Sequence, residues 1–191
     1  MHEVLLNLIH QKVVLSEHEI AMCTQFFEPV LITKNQILEK EGEVPGYLYF
    51  IASGFVRLFH YNDQGDEVTT HINCPPGFLT SYSHFVNQTK ANEIVECITN
   101  CELLRITKKD LDYLTENSSA FKSFSIWVFQ QAIAYNETRA RELAILTAEQ
   151  RYRKLIETYP AIIQHVPVRY IASFLGMKPE SLSRIRRQMI N

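Results

Sequence analysis

Across residues 30–106 apolar side chains recur mostly at every second position, whereas before and after that span they recur every third or fourth. A period of two suits a strand with one buried face and a period near 3.6 suits a helix, so the order is helix, sheet, helix. The sheet span divides into seven candidate strands, at 30–33, 36–40, 47–52, 55–61, 68–73, 94–99 and 102–106. Glu41-Gly42-Glu43, Ser53-Gly54, Asn62-Asp63-Gln64-Gly65 and Pro75-Pro76-Gly77 separate them with turn chemistry. Short strands at this spacing imply an antiparallel double-sheet β-roll, jelly-roll-like, in an α+β chain. Two helices precede it. Val4, Leu5, Leu8 and Ile9 form the stripe of one, and Ser16 with Glu19 makes a capping box for the other.

After Lys108 the helical period returns. Residues 110–116 read as a short helix, and Asn117-Ser118 can cap a second one of ~28 residues, which at 1.5 Å per residue is ~42 Å long. Ile126, Phe129, Ile133, Asn136, Ala140 and Leu143 recur at alternating intervals of three and four, as in a coiled-coil seam. Phe121, Phe124 and Val128 form a second stripe. Two stripes on one long helix suit two partners, its own roll and a second subunit, with Asn136 setting the register. One wide core face on a monomer is the alternative.

The last segment carries the most specific pattern. Ile171, Leu175, Leu182 and Ile185 are helically spaced, but the phase breaks at Gly176-Met177. Helix on both sides of such a break describes two short helices joined by a tight turn, with Gly176 supplying positive φ and Ala172 a small residue at the crossing. Pro179 fits the first turn of the second helix and Glu180 its N-terminal dipole. This is the layout of a helix-turn-helix, whose second helix enters the DNA major groove. Charge agrees. From Gln150 onward eight Lys/Arg face two Asp/Glu, while the first 149 residues hold eleven against nineteen. A basic tail on an acidic body places phosphate contact in the tail.

Ile171-Ala172-Ser173-Phe174-Leu175-Gly176-Met177, followed by Glu180-Ser181-Leu182-Ser183-Arg184-Ile185, resembles the DNA-binding end of the Crp/Fnr transcription regulators. Tyr49-Phe50-Ile51-Ala52-Ser53-Gly54-Phe55-Val56-Arg57-Leu58, with Glu41-Gly42-Glu43 before it, resembles the cyclic-nucleotide-binding roll of the same family. Thr147-Ala148-Glu149-Gln150-Arg151-Tyr152 looks like the hinge between its dimer helix and its DNA-binding domain. The resemblance implies a roll over residues 1–117, a dimerisation helix over 118–146 and a helix-turn-helix domain over 147–191. It implies that Glu180, Ser181 and Arg184 read bases, with Lys178, Arg186 and Arg187 meeting phosphates. Double-stranded DNA, a second copy of the chain and RNA polymerase are the implied partners. The family usually follows its recognition helix with a β-wing, and a chain ending at Asn191 leads us to expect none.

A nucleotide-binding roll grips phosphate with a helix N-terminus and an Arg, and ribose with a Glu just after a Gly. Gly77 is present, but Phe78 stands where the Glu is expected, and Lys90-Ala91-Asn92 replaces Arg-Ser-Ala. Lys90 lacks the bidentate fork. Cyclic nucleotide is therefore not expected. Gly77, Phe78, Leu79, Thr80, Ser81, Tyr82 and Lys90 either line a pocket for another small effector or fill the roll. Cys23, Cys74, Cys97 and Cys101 are too scattered for an iron–sulfur cluster and read as reduced thiols. No histidine pair has helical ligand spacing, so neither metal nor cofactor is expected.

The 46% apolar content supports a sizeable core, yet no apolar run approaches the ~20 residues of a membrane span. The N-terminus lacks the order of a signal peptide, which points to the cytoplasm. The expectation is a dimeric, non-enzymatic, DNA-binding regulator. The rivals are a sensing roll that signals through protein contacts without DNA, and a cupin-like enzyme, which would need several His and a Glu converging in the barrel.

Overall fold

The computed structural model describes residues 1–190. Helices α1 (His2–His10) and α2 (Glu17–Phe26) lead into strands β1 (Glu28–Ile32), β2 (Ile37–Glu39), β3 (Tyr47–Ser53), β4 (Val56–Tyr61), β5 (Glu67–Asn73) and β6 (Gly77–Leu79). A short helix α3 (Tyr82–Asn87) precedes β7 (Ile94–Cys97) and β8 (Cys101–Thr107). The rest is helical: α4 (Lys108–Asn117), α5 (Ser119–Ile145), α6 (Ala148–Thr158), α7 (Ile162–His165), α8 (Val168–Phe174) and α9 (Pro179–Ile190). The seven expected strands are present, and β6 is an eighth. It is only three residues long and follows a Pro-Pro pair, so no alternation announces it. The expected missing wing concerns chain beyond α9, and Asn191 lies outside the described residues.

The strands form two antiparallel sheets, ordered β1-β8-β3-β6 and β2-β7-β4-β5. Ile51, Val56, Leu58, Val95 and Leu103 fill the space between them, which makes the roll interior an apolar core. Gly54 makes the β3–β4 corner at φ +89°, and a Cβ there would lie 2.5 Å from the Asn100 carbonyl oxygen. Only glycine suits both demands. Phe50, Leu104 and Ile106 point the other way and pack under α1, α2, α4 and α5 with Phe121 and Phe124. Burying such a phenyl ring stabilises the fold by about 2–3 kcal/mol. The second stripe of the long helix therefore does cover the roll.

Local caps set the helix boundaries. Ser16 and Glu19 form a full capping box on α2, and Thr147 and Gln150 form another on α6. The hydroxyl of Ser118 accepts the Phe121 N–H at the start of α5. At the end of α8 the Met177 N–H reaches the Ala172 carbonyl and the Gly176 N–H reaches that of Ser173. With Gly176 at φ +66°, this pair of bonds is a Schellman cap, and it aims α9 away from α8.

Packing of the C-terminal helices on the outer face of the second sheet was not visible in the sequence. Phe55, Ile72 and Ile98 of the roll share one apolar core with Tyr152, Ile162 and Ile171. Beside it, the Thr69 N–H of edge strand β5 donates to the Ser173 hydroxyl at 2.9 Å. Arg57, only 1% exposed, lies between the rings of Phe59 and Tyr170, with its Cζ 3.8 and 3.6 Å from their centroids. Glu96 and Glu67 neutralise it at 2.6 and 2.7 Å.

His71 of β5 meets Tyr135 of α5 edge-on, with ring centroids 5.1 Å apart. Burial, with the Arg139 guanidinium as a lesser cause, pushes its pKa from 6.5 down to about 4. A depressed pKa means that the folded state holds the ring neutral while the unfolded chain takes up a proton. The stability this confers is complete above pH 6.5 and is lost as pH falls through 4. The loss should be on the order of 3 kcal/mol, since one pKa unit corresponds to ~1.4 kcal/mol. Urea unfolding at stepped pH should show this slope, and His71→Asn should flatten it.

Candidate nucleic-acid interface and effector site

Helix α9 is anchored by Leu182, which is fully buried, and by Ile185 and Met189, which pack on the same C-terminal core. That anchoring turns the opposite side outward. Glu180, Arg184, Arg187 and Gln188 are exposed, and Lys178 is exposed just before the helix. Ser181 and Arg186 are half-buried at its flanks. Glu180 and Arg184 are four residues apart, so they rise on one face a turn apart, with Ser181 beside them. Among the described residues no ion pair involves Lys178, Glu180, Arg184, Arg186 or Arg187. Their charge is therefore available to a partner. The structure brings together the base-reading residues named from sequence.

The effector residues named from sequence are dispersed. Leu79 points into the filled roll. Phe78 turns outward, with its ring centroid 5.1 Å from that of Phe50 and 6.2 Å from that of Phe124. Tyr82 leans on Phe129 of α5 at 4.9 Å, and Lys90 is exposed. Gly77 admits Asn73, since a Cβ at residue 77 would sit 2.6 Å from its Oδ1. Thr80 and Ser81 are buried, and their polar groups are engaged.

What engages them is Glu39, a residue that sequence reasoning passed over. Its carboxylate accepts the Thr80 hydroxyl at 2.7 Å and the Ser81 N–H at 3.0 Å. The Ser81 hydroxyl in turn donates to Glu93 at 2.7 Å. Burial raises the Glu39 pKa, while the two hydrogen bonds pull it back and nearby Glu93 adds to the rise. A charged residue ending an otherwise apolar Ile37-Leu38 strand was the available signal. Thus the donors at the entry to α3 already have a carboxyl acceptor, and it belongs to the chain.

The cysteines are free thiols. Burial pushes Cys23 and Cys74 up to about 12, which keeps both protonated. Among the described residues no group of three His, Cys, Asp or Glu side chains converges as a metal site would require.

Residues 29–118 match the sequence model of the cyclic nucleotide-binding domain. No curated protein matches the sequence. FixK2 from Bradyrhizobium japonicum is similar at TM-score 0.73 and 15% identity, over 85% of this chain and 84% of its own. A protein from Eubacterium rectale assigned to the Crp/Fnr family of transcriptional regulators gives 0.69 at 14%, over 91% and 83%. The c-di-GMP responsive global regulator CLP of Xanthomonas campestris gives 0.66 at 18%, over 91% of both chains. The chain has the Crp/Fnr fold. Within that fold, the resemblance carried by the roll and helix-turn-helix motifs agrees with the architecture from β1 to α9.

The Crp/Fnr fold does not require this roll to hold a nucleotide. With Glu39 facing the donors a phosphate would need, cyclic AMP should bind no tighter than about millimolar, an affinity of only ~4 kcal/mol. Calorimetry on the full chain checks this, and micromolar binding would show that Glu39 can be displaced.

Proposed function

We propose that this chain is a homodimeric, DNA-binding transcription regulator of the Crp/Fnr type that reads a palindromic operator through α9. The observation carrying the reading is the outward face of α9. It presents a carboxylate, a hydroxyl and a guanidinium on a helix fixed by a Schellman-capped turn. An Arg can bond O6 and N7 of guanine together, and a Glu can accept from the cytosine amino group. Arg184 and Glu180 take those roles, with Ser181 beside them. Lys178, Arg186 and Arg187 meet phosphates and fix position. RNA polymerase is the partner that the Crp/Fnr resemblance adds. No helix among the described residues is long and apolar enough to cross a membrane, and a cytoplasmic setting is part of the same reading.

Two copies are needed because half-sites lie about one helical turn apart, ~34 Å, beyond the reach of one recognition helix. Helix α5 offers the means. Ile126, Ile133 and Leu143 are 49%, 59% and 43% exposed along one stripe, an apolar surface that a second α5 would cover. Ile133→Asp places a charge in that seam and should cost several kcal/mol of association. Sedimentation should give a dimer for the parent and a monomer for the variant. A parent that stays monomeric at tens of micromolar would defeat the dimer.

The two classes of α9 contact predict different mutant behaviour. Arg184→Ala should lose ~1–3 kcal/mol on the preferred operator and little on scrambled DNA. Arg187→Ala should weaken all sequences together and reduce the salt slope by about one unit. Titrating each variant on both duplexes at several salt concentrations separates them. Equal weakening of both duplexes by Arg184→Ala would remove the reading role.

A further inference from the structure

A cleft of about 170 Å³ opens where α5, α6 and the end of α8 meet. Its walls are apolar and aromatic: Tyr135 and Leu143 from α5, Leu155 from α6, Tyr159 just after it, and Phe174 from α8. Its charged lining is Arg139, Arg151, Lys154 and Glu142. That is three cations against one carboxylate, and Glu142 is already paired with Lys154.

The two arginines have structural duties that account for part of their bonding. Arg139 Nη2 donates to the Phe174 carbonyl at 2.6 Å, with the guanidinium stacked 3.7 Å over the Phe174 ring. Arg151 Nε donates to the Leu175 carbonyl at 3.0 Å and its Nη1 to that of Leu146 at 2.6 Å. Both therefore cap the C-terminal carbonyls of α8. Each guanidinium has five N–H groups, however, and carbonyl bonds do not neutralise charge. Among the described residues neither forms an ion pair. Burial lowers the pKa of Arg139, and the nearby Glu142 carboxylate offsets this only in part. Tyr135, whose own pKa burial raises to about 12, stays a neutral phenol at the back of the cleft.

We infer that this cleft is a binding site for a small aromatic anion, an aryl phosphate or aryl carboxylate. The anionic group would lie against Arg139, Arg151 and Lys154, and the ring between Tyr135, Tyr159 and Phe174. Guanidinium forks favour planar or tetrahedral oxyanions, and the aromatic walls favour a ring over a bare inorganic ion. The ligand would bridge the long helix, α6 and the first helix of the helix-turn-helix. Its occupancy would hold the outward pose of α9, so the site is placed to govern the proposed DNA reading. Binding itself does not depend on that reading, because it is measured without DNA.

The test is calorimetry of the full chain with phenyl phosphate, with inorganic phosphate and phenol as the charge-only and ring-only probes. Phenyl phosphate should saturate with a dissociation constant of ~1 mM or tighter, and each partial probe should bind at least ~10-fold more weakly. Arg139→Gln should weaken phenyl phosphate by ~10-fold through loss of a charge-assisted contact. Glu142→Gln removes the lone carboxylate and should tighten it severalfold, an effect that a purely structural role would not produce. That variant keeps the test decisive if Arg139→Gln fails to fold. Absence of saturation up to ~10 mM would overturn the site. So would equal binding of inorganic phosphate, or affinity unchanged in Glu142→Gln. If phenyl phosphate binds as expected but no duplex does, the site stands and the regulator reading falls.

Discussion

The relation between the two ends of the molecule depends on one buried cation. Arg57 is on a roll strand, yet its guanidinium is sandwiched by Phe59 of the same strand and Tyr170 of α8, with carboxylates on two neighbouring strands closing the ring. Losing the Tyr170 ring from such a stack costs about 2 kcal/mol, the worth of a desolvated cation–π contact. Its departure would open one face of Arg57 to water while both carboxylates stay in place. The C-terminal helices are thus tied to the roll by a ring stacked on a charge that the roll itself neutralises.

Much of this architecture was legible in the sequence where a local rule has a single solution. Ser16 with Glu19 and Gly176 after Ala172 each specify a boundary through hydrogen bonds that the neighbouring residues must make. The period change at residue 30 likewise has few interpretations. What sequence could not show was long-range pairing. Arg57 reads as an ordinary outward-facing residue on an alternating strand until Tyr170 is folded onto it from more than a hundred residues away. Glu39 reads as the polar end of a short strand until Thr80 and Ser81 turn toward it. Phe78 was weighed as a pocket residue because its neighbours in sequence are hydroxylic. Its true neighbours are Phe50 and Phe124, and strand β6, too short to show a period, is what turns it outward.

The roll illustrates how a ligand-binding architecture can persist with its interior satisfied. Apolar side chains from both sheets meet across the middle, and the donors at the start of α3 are taken by a carboxylate from β2. A nucleotide phosphate would have to displace Glu39 from the Thr80 hydroxyl and the Ser81 N–H, so the cost of entry includes a buried carboxyl group left without its donors near Glu93. The cleft beside α5 has the opposite character. It holds an excess of cations at a place where three helices converge.

Strand β5 ends its sheet, and the bond from its Thr69 N–H to Ser173 has a consequence beyond holding two parts together. An edge strand with free N–H and C=O groups is a template on which another chain can add a strand. In the docked arrangement α8 lies along that edge and Ser173 occupies it from both sides, accepting from Thr69 and donating to the Glu67 carbonyl at 3.2 Å. Any movement that carried the C-terminal helices off this edge would uncover an unpaired strand, so the same contact that positions α8 also blocks strand addition by another chain.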